Sequence, residues 1–201
     1  TADAGIMAAW AQQPTAEGVT IAIVDTGCND NNPELAGVVV KGFHVDDRLS
    51  EYNETDYSDF NGHGTGIASI IAAKHDGIGM AGVAPGVKLL IVQTRYATSE
   101  IIKGINWSVA NGANIICLSW GETDIKDQWF RPLLAACLNA SDHNVAIVSA
   151  VGYGRNLDVS PTYPYGWNLK NYVAVAGTIR TGEMFGPSST GKRCVGAPAR
   201  V

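Results

Sequence analysis

Charge is scarce in this sequence. Only 16% of its 201 residues are Asp, Glu, Lys or Arg, and the balance of 14 basic against 19 acidic side chains leaves −5. No basic stretch stands out, which argues against nucleic acid or an anionic membrane surface as the partner. Long apolar runs are missing too, since none approaches the ~18–20 residues that span a bilayer as a helix. Cysteine is sparse: Cys28, Cys117, Cys137 and Cys194 are too few and too dispersed for a disulfide scaffold or a zinc cluster. They read as buried thiols, with a bridge as the alternative. A Gly-x-Ser-x-Gly elbow is absent, which removes one large class of serine hydrolases. Internal repeats and low-complexity segments are also absent.

What is present is a series of short β-branched runs. Val19 to Val24, Leu89 to Val92, Ala113 to Leu118, Val145 to Val151 and Tyr172 to Ala176 each suit a strand buried on both faces. Helical patterns lie between them. Ser99 is positioned to cap a helix that carries Ile101, Ile102, Ile105 and Val109, with Gly112 as its stop. A second helix is expected near Gln128 to Asp142, carrying Trp129, Leu133, Leu134 and Cys137. The alternation predicts an α/β fold: a three-layer sandwich, with a mostly parallel central sheet and helices on both faces. Ligands of such sheets gather at the carboxyl ends of the strands. Asp25, Ser119-Trp120-Gly121 and Gly152-Tyr153-Gly154 all fall at such ends.

Asn61-Gly62-His63-Gly64-Thr65-Gly66 precedes the apolar run Ile67 to Ala73. A histidine between glycines at a helix start reads either as a catalytic imidazole or as a plain turn into a core helix. The Gly-x-Gly-x-x-Gly at Gly77, Gly79 and Gly82 comes after this helix and before a strand. That order is the reverse of a dinucleotide-binding turn.

Taken as a set, the motifs resolve the ambiguity. Asp25-Thr26-Gly27, Asn32-Pro33-Glu34-Leu35, Asn61 to Thr65, Gly79 to Pro85, Ile115 to Gly121, and Tyr163-Pro164 followed by Val173 to Gly177 occur in one order. Together they resemble the subtilisin family of serine proteases, from about Val19 to the end of the chain. The resemblance implies peptide-bond hydrolysis, with His63 as general base and Asp25 orienting it. It implies that Ser119, Trp120 and Gly121 pair with an extended peptide or protein substrate. Ala150 and Gly152 would wall the pocket for the side chain before the scissile bond. Asp59 is similar to an acid that selects basic substrates in some members, and reads equally well as a helix-start charge. A structural calcium ion is implied as well, with Glu34 and Asp76 as side-chain ligands. No cofactor is implied for catalysis. Secretion, or another place outside the cytoplasm, is favoured by the resemblance alone.

Three departures stand beside these matches. The family's Gly-Thr-Ser-x-Ala nucleophile motif does not occur; it is expected roughly twenty residues past Val201. Residues 1–201 therefore read as one domain of this family lacking its serine segment, a processed or excerpted chain inactive alone. Another polypeptide is one possible supplier of that segment. Tyr153 holds the place of the asparagine whose amide stabilises the oxyanion, leaving open a catalytically inactive, peptide-binding pseudoprotease. Gly66 replaces a usual second histidine, a difference in packing.

Overall fold

A computed structural model describes residues 5–45, 56–120, 127–152, 167, 169–185, 188 and 194–198. Seven strands form one sheet: β1 (Thr20–Asp25), β2 (Val39–His44), β3 (Lys88–Gln93), β4 (Ile115–Leu118), β5 (Ala146–Ala150), β6 (Tyr172–Thr178) and β7 (Cys194–Pro198). The order is β2-β3-β1-β4-β5-β6-β7, and every neighbouring pair is parallel. Helices α1 (Ile6–Gln12), α2 (His63–Ala72), α3 (Thr98–Ala110) and α4 (Asp127–Asp142) accompany it, with a short 3-10 turn at Pro33–Leu35. The α/β sandwich read from the alternating pattern is the observed architecture.

Strand alternation divides the core in two. On one face Ile21, Ile23, Leu89 and Ile91 pack beneath Ala68 and Ala72 of α2. On the other, Ala22, Val24, Leu90, Val92, Ile116, Leu118 and Ile147 meet Ile101 and Ile105 of α3, and Leu133, Cys137 and Ala140 of α4. The crossovers β2–α2–β3, β3–α3–β4 and β4–α4–β5 all advance in the same direction across the sheet. Because α2 lies on the face opposite α3 and α4, its crossover has the opposite hand. This departs from the usual uniformity of such units. It brings the start of α2 beside the carboxyl end of β1, on a face that α3 and α4 do not occupy.

That face is well covered only near β1 and β3. Along β5 to β7 its side chains are partly bare: Ala150, Val173 (37% exposed) and Val195 (52% exposed) have no helix above them among the described residues.

Several local expectations are corrected. Ser99 is not the cap of α3, which begins at Thr98 with Ala97 before it. Strands β2 and β7 had no counterpart in the sequence pattern. In β2, Gly42 interrupts the apolar run because Tyr57 lies on it; a β-carbon there would sit 1.8 Å from the Tyr57 ring. Ala197-Pro198 closes edge strand β7. Proline is tolerated at an edge, where no neighbour needs its missing N–H.

Candidate active site

The carboxyl end of β1 delivers Asp25 to the start of α2. Asp25 is fully buried, and its Oδ1 lies 2.7 Å from Nδ1 of His63, whose side chain is 49% exposed. Oδ1 also accepts from the Thr26 amide at 2.8 Å and the Tyr96 hydroxyl at 2.7 Å. Oδ2 has no hydrogen-bond partner among the described residues. A buried carboxylate must be matched by donors or a cation. Here the donors converge on one oxygen, and one of them is the imidazole. Nε2 of His63 is left available, since none of the described residues hydrogen-bonds to it.

Helix α2 starts here because other segments satisfy its first amides. Gly62, at φ +93°, provides the left-handed entry and no side chain of its own to cap with. The Gly64 amide donates to Thr26 Oγ1 at 3.0 Å, and the Thr65 amide to Asp59 Oδ2 at 2.9 Å. Asp59 Oδ1 accepts from the Thr26 hydroxyl and from the amides of Asn61 and Gly62; Oδ2 accepts the Thr65 hydroxyl as well. Burial works against the Asp59 charge, but these bonds, led by that from Thr65, outweigh it and hold the carboxyl well below its ordinary range. Asp59 is thus tied to the helix start by bonds from Thr26, Asn61, Gly62 and Thr65. Backbones also touch directly: a β-carbon on Gly64 would lie 2.1 Å from the Gly27 carbonyl oxygen.

A cleft of about 440 Å³ opens from His63 across the carboxyl ends of β4 to β7. Ser119, Ala150 and Gly152 line it, as do Ile67 and Cys117. Three of the residues expected to bind substrate thus share one cavity with the histidine. Trp120 does not join them with its side chain, which is buried in the α3–α4 core. Gly121 and Tyr153 lie outside the described residues.

The loop after α2 wraps Glu34. Its Oε1 accepts from the Met80 amide at 3.4 Å, while Oε2 is buried without a hydrogen-bond partner among the described residues. Gly79, at φ +63°, passes so close that a β-carbon would meet Glu34 Oε1 at 1.7 Å. Asp76 Oδ1 accepts from its own loop, at the Ile78 amide. No group of three or more His, Cys, Asp or Glu that could hold a metal occurs among the described residues. An ion here would depend on backbone carbonyls, with Glu34 as the charged ligand. A buried, unpaired carboxylate oxygen facing a glycine-rich loop fits a hard cation.

Two site residues carry no assigned role in the sequence pattern. Thr26 was hidden inside Asp-Thr-Gly, and Tyr96 lies in the short segment following β3. Tyr96 stands just past the carboxyl end of β3, the side of the sheet where ligands gather.

The sequence model of the subtilase family matches residues 16–201. This chain belongs to that family. The match covers the Asp25–His63 pair and every strand of the sheet. The major intracellular serine protease of Bacillus subtilis is 33% identical over 169 residues, covering 79% of this chain and 51% of that protein. Thermitase of Thermoactinomyces vulgaris is 35% identical over 167 residues, with coverages of 80% and 55%. The chain therefore spans about half the length of these relatives. Among solved structures, fervidolysin from Fervidobacterium pennivorans, described as a keratinolytic enzyme related to subtilisin, superposes with TM-score 0.74 at 27% identity. That superposition covers 93% of this chain and 29% of that one. The nisin leader peptidase NisP of Lactococcus lactis gives 0.78 at 20% identity, over 92% and 63%, a likeness of fold. Relatives carry both intracellular and extracellular names. No helix among the described residues is long and apolar enough to cross a membrane.

Proposed function

We propose that the whole protein is a serine endopeptidase in which His63 deprotonates a serine carried beyond Val201. The observation that carries this reading is the buried Asp25 carboxylate fixed 2.7 Å from Nδ1 of His63, a residue that lines the cleft and whose Nε2 has no partner among the described residues. Asp25 holds the imidazole in the tautomer with its proton on Nδ1, so that Nε2 can accept a proton from a hydroxyl. When His63 becomes cationic, Asp25 stabilises it. His63 then returns the proton to the leaving amine, and the same cycle with water releases the acyl group.

The substrate is a peptide or protein in extended conformation, its backbone paired along Ser119 to Gly121. Ala150 and Gly152 wall the pocket for the side chain before the scissile bond. The partly bare face of β5 to β7 is the seat of the segment bearing the nucleophile, whether it continues this chain or comes from a second polypeptide. A calcium ion braces the loop after α2, held by Glu34 and Asp76 with backbone carbonyls, and takes no part in the chemistry.

A fluorophosphonate probe tests the proposal. The protein with its residues beyond Val201 becomes labelled at a serine in Gly-Thr-Ser-x-Ala, and residues 1–201 alone do not. Labelling that survives His63→Ala undiminished would sink the assignment of the base. A second reading, a peptide-binding chain without turnover, rests on Tyr153 in place of the oxyanion amide. It is favoured if the longer protein binds peptide and takes no label.

A further inference from the structure

We infer that Tyr96 is a positioning residue of the catalytic pair, a phenol that shares the Asp25 carboxylate with His63 and limits how strongly that carboxylate holds the imidazolium. The inference rests on the reading of Asp25 and His63 as orienting acid and base.

Three observations carry it. The Tyr96 hydroxyl donates to Asp25 Oδ1 at 2.7 Å, the same oxygen that faces His63 Nδ1 at 2.7 Å, and lies 3.5 Å from that nitrogen. The two donors therefore compete for one acceptor. Next, the backbone is bent to achieve this. Tyr96 has φ +64°, one of two non-glycine residues described with positive φ, and large side chains rarely adopt that region. Strain retained beside a reacting pair, and held in place by its surroundings, points to a role there. Finally, the turn is braced. The Tyr96 amide donates to Thr94 Oγ1 at 3.3 Å, and the preceding amide of Arg95 donates to Glu100 Oε2 at 2.7 Å. Glu100 is itself buried, on the first turn of α3.

The consequence is electrostatic. A hydrogen bond from a neutral phenol draws charge off the carboxylate, so the carboxylate stabilises a neighbouring cation less. Burial, and then the bond to Asp25, push the phenol well above its ordinary range, so it remains a protonated donor at neutral pH. The other ionisable groups around the pair are Asp59 ahead of α2, Arg95 between β3 and α3, Glu100 on the first turn of α3, and Cys117 on β4, which feels the Asp25 charge. Asp59 and Glu100 are engaged in their own hydrogen bonds; besides His63, Tyr96 is the side chain among the described residues that hydrogen-bonds to Asp25.

The test uses the full-length protein, by proton NMR of the His63 ring and its Nδ1–H, with two substitutions that alter the donor in opposite senses. Tyr96→Phe deletes it. Replacement of Tyr96 by 3-fluorotyrosine, a more acidic phenol of nearly the same shape, strengthens it. Tyr96→Phe is expected to move the His63 protonation midpoint up by about half a pH unit, a threefold gain in proton affinity, and the Nδ1–H resonance downfield. The fluorinated residue is expected to move both the other way. Should the Phe variant fail to fold, the fluorinated protein decides alone. If the folded variants leave His63 within roughly 0.1 unit of the parent, or both shift it in the same direction, Tyr96 is packing and the inference falls. None of these readouts requires proteolytic activity, so failure here is distinct from failure of the proposed function.

Discussion

The hydroxyl of Thr26 donates to Asp59 Oδ1 at 2.8 Å while accepting the Gly64 amide at 3.0 Å. One buried oxygen thus ties the end of β1 to both the approach and the first turn of α2. Thr26→Val keeps the shape and removes both bonds, leaving the buried Gly64 N–H without its acceptor. A loss of about 1–3 kcal/mol in unfolding free energy is expected. Urea unfolding of the two proteins measures it, and a difference near zero would mean that water or another group replaces the hydroxyl.

Asp59 makes stability depend on acid. Its folded carboxyl titrates below the ordinary range because the bonds from Thr65, Asn61 and Gly62 outweigh burial. The unfolded chain therefore takes up the proton first as pH falls. The contribution of Asp59 is complete above the unfolded carboxylate value and is lost progressively as pH drops below about 4 toward the folded value. In Asp59→Asn this part of the acid slope disappears, and at neutral pH the helix start is weaker by about 1 kcal/mol. Thermal melts of both proteins between neutral pH and the acid range decide this.

Asp25→Asn tests the orienting role within the proposed function. An amide can present either an acceptor or a donor to Nδ1, so the imidazole is no longer held in the productive tautomer. In the complete protein kcat is expected to fall about 10⁴-fold, with peptide affinity little changed because the carboxylate is buried away from the cleft. A comparable loss in affinity would show that Asp25 shapes the groove.

Glu34 carries the proposed calcium site. Added calcium should raise the thermal midpoint and a chelator should lower it, as linkage requires for a ligand of the folded state. In Glu34→Gln the calcium-dependent part should vanish. An unchanged calcium response in that variant would place the ion elsewhere.

The cysteines give a measurement independent of function. All four are thiols, with no disulfide between them. Burial raises Cys28 and Cys137 to about 12, and burial followed by the Asp25 charge raises Cys117 to about 11. At pH 8 the Cys117 thiolate is then about one part in a thousand. Ellman's reagent should leave these three unmodified in the native protein and react with them rapidly in denaturant. Fast native labelling of Cys117 would mean the cleft is more open than its geometry implies.

Much of this molecule could be read from its residues, and the exceptions have physical causes. Strands β1, β3, β4, β5 and β6 announce themselves because burial on both faces demands unbroken apolar runs. Edge strands β2 and β7 do not, since Gly42 and Pro198 are tolerated there by their neighbours rather than by any local preference. Asp25 and His63 were legible through their motifs. Tyr96 was not, because its role depends on a turn of unusual φ and a partner 71 positions away. Asp59 could be read two ways in sequence, and only its five hydrogen bonds, spread over Thr26, Asn61, Gly62 and Thr65, place it at the helix start.

The contact between Gly27 and Gly64 has a further consequence, for how such a chain can diverge. Most packed pairs drift by exchange, one residue shrinking as its neighbour grows. Here a β-carbon on Gly64 would meet a main-chain oxygen at 2.1 Å, and one on Gly27 would meet the backbone oxygens of Tyr57 and Ser58 at 2.6 and 2.7 Å. Neither glycine has a smaller replacement, and no partner side chain is present to give way. The two segments that hold acid and base are locked as a single inherited unit, open to change only if both strand end and helix start move together.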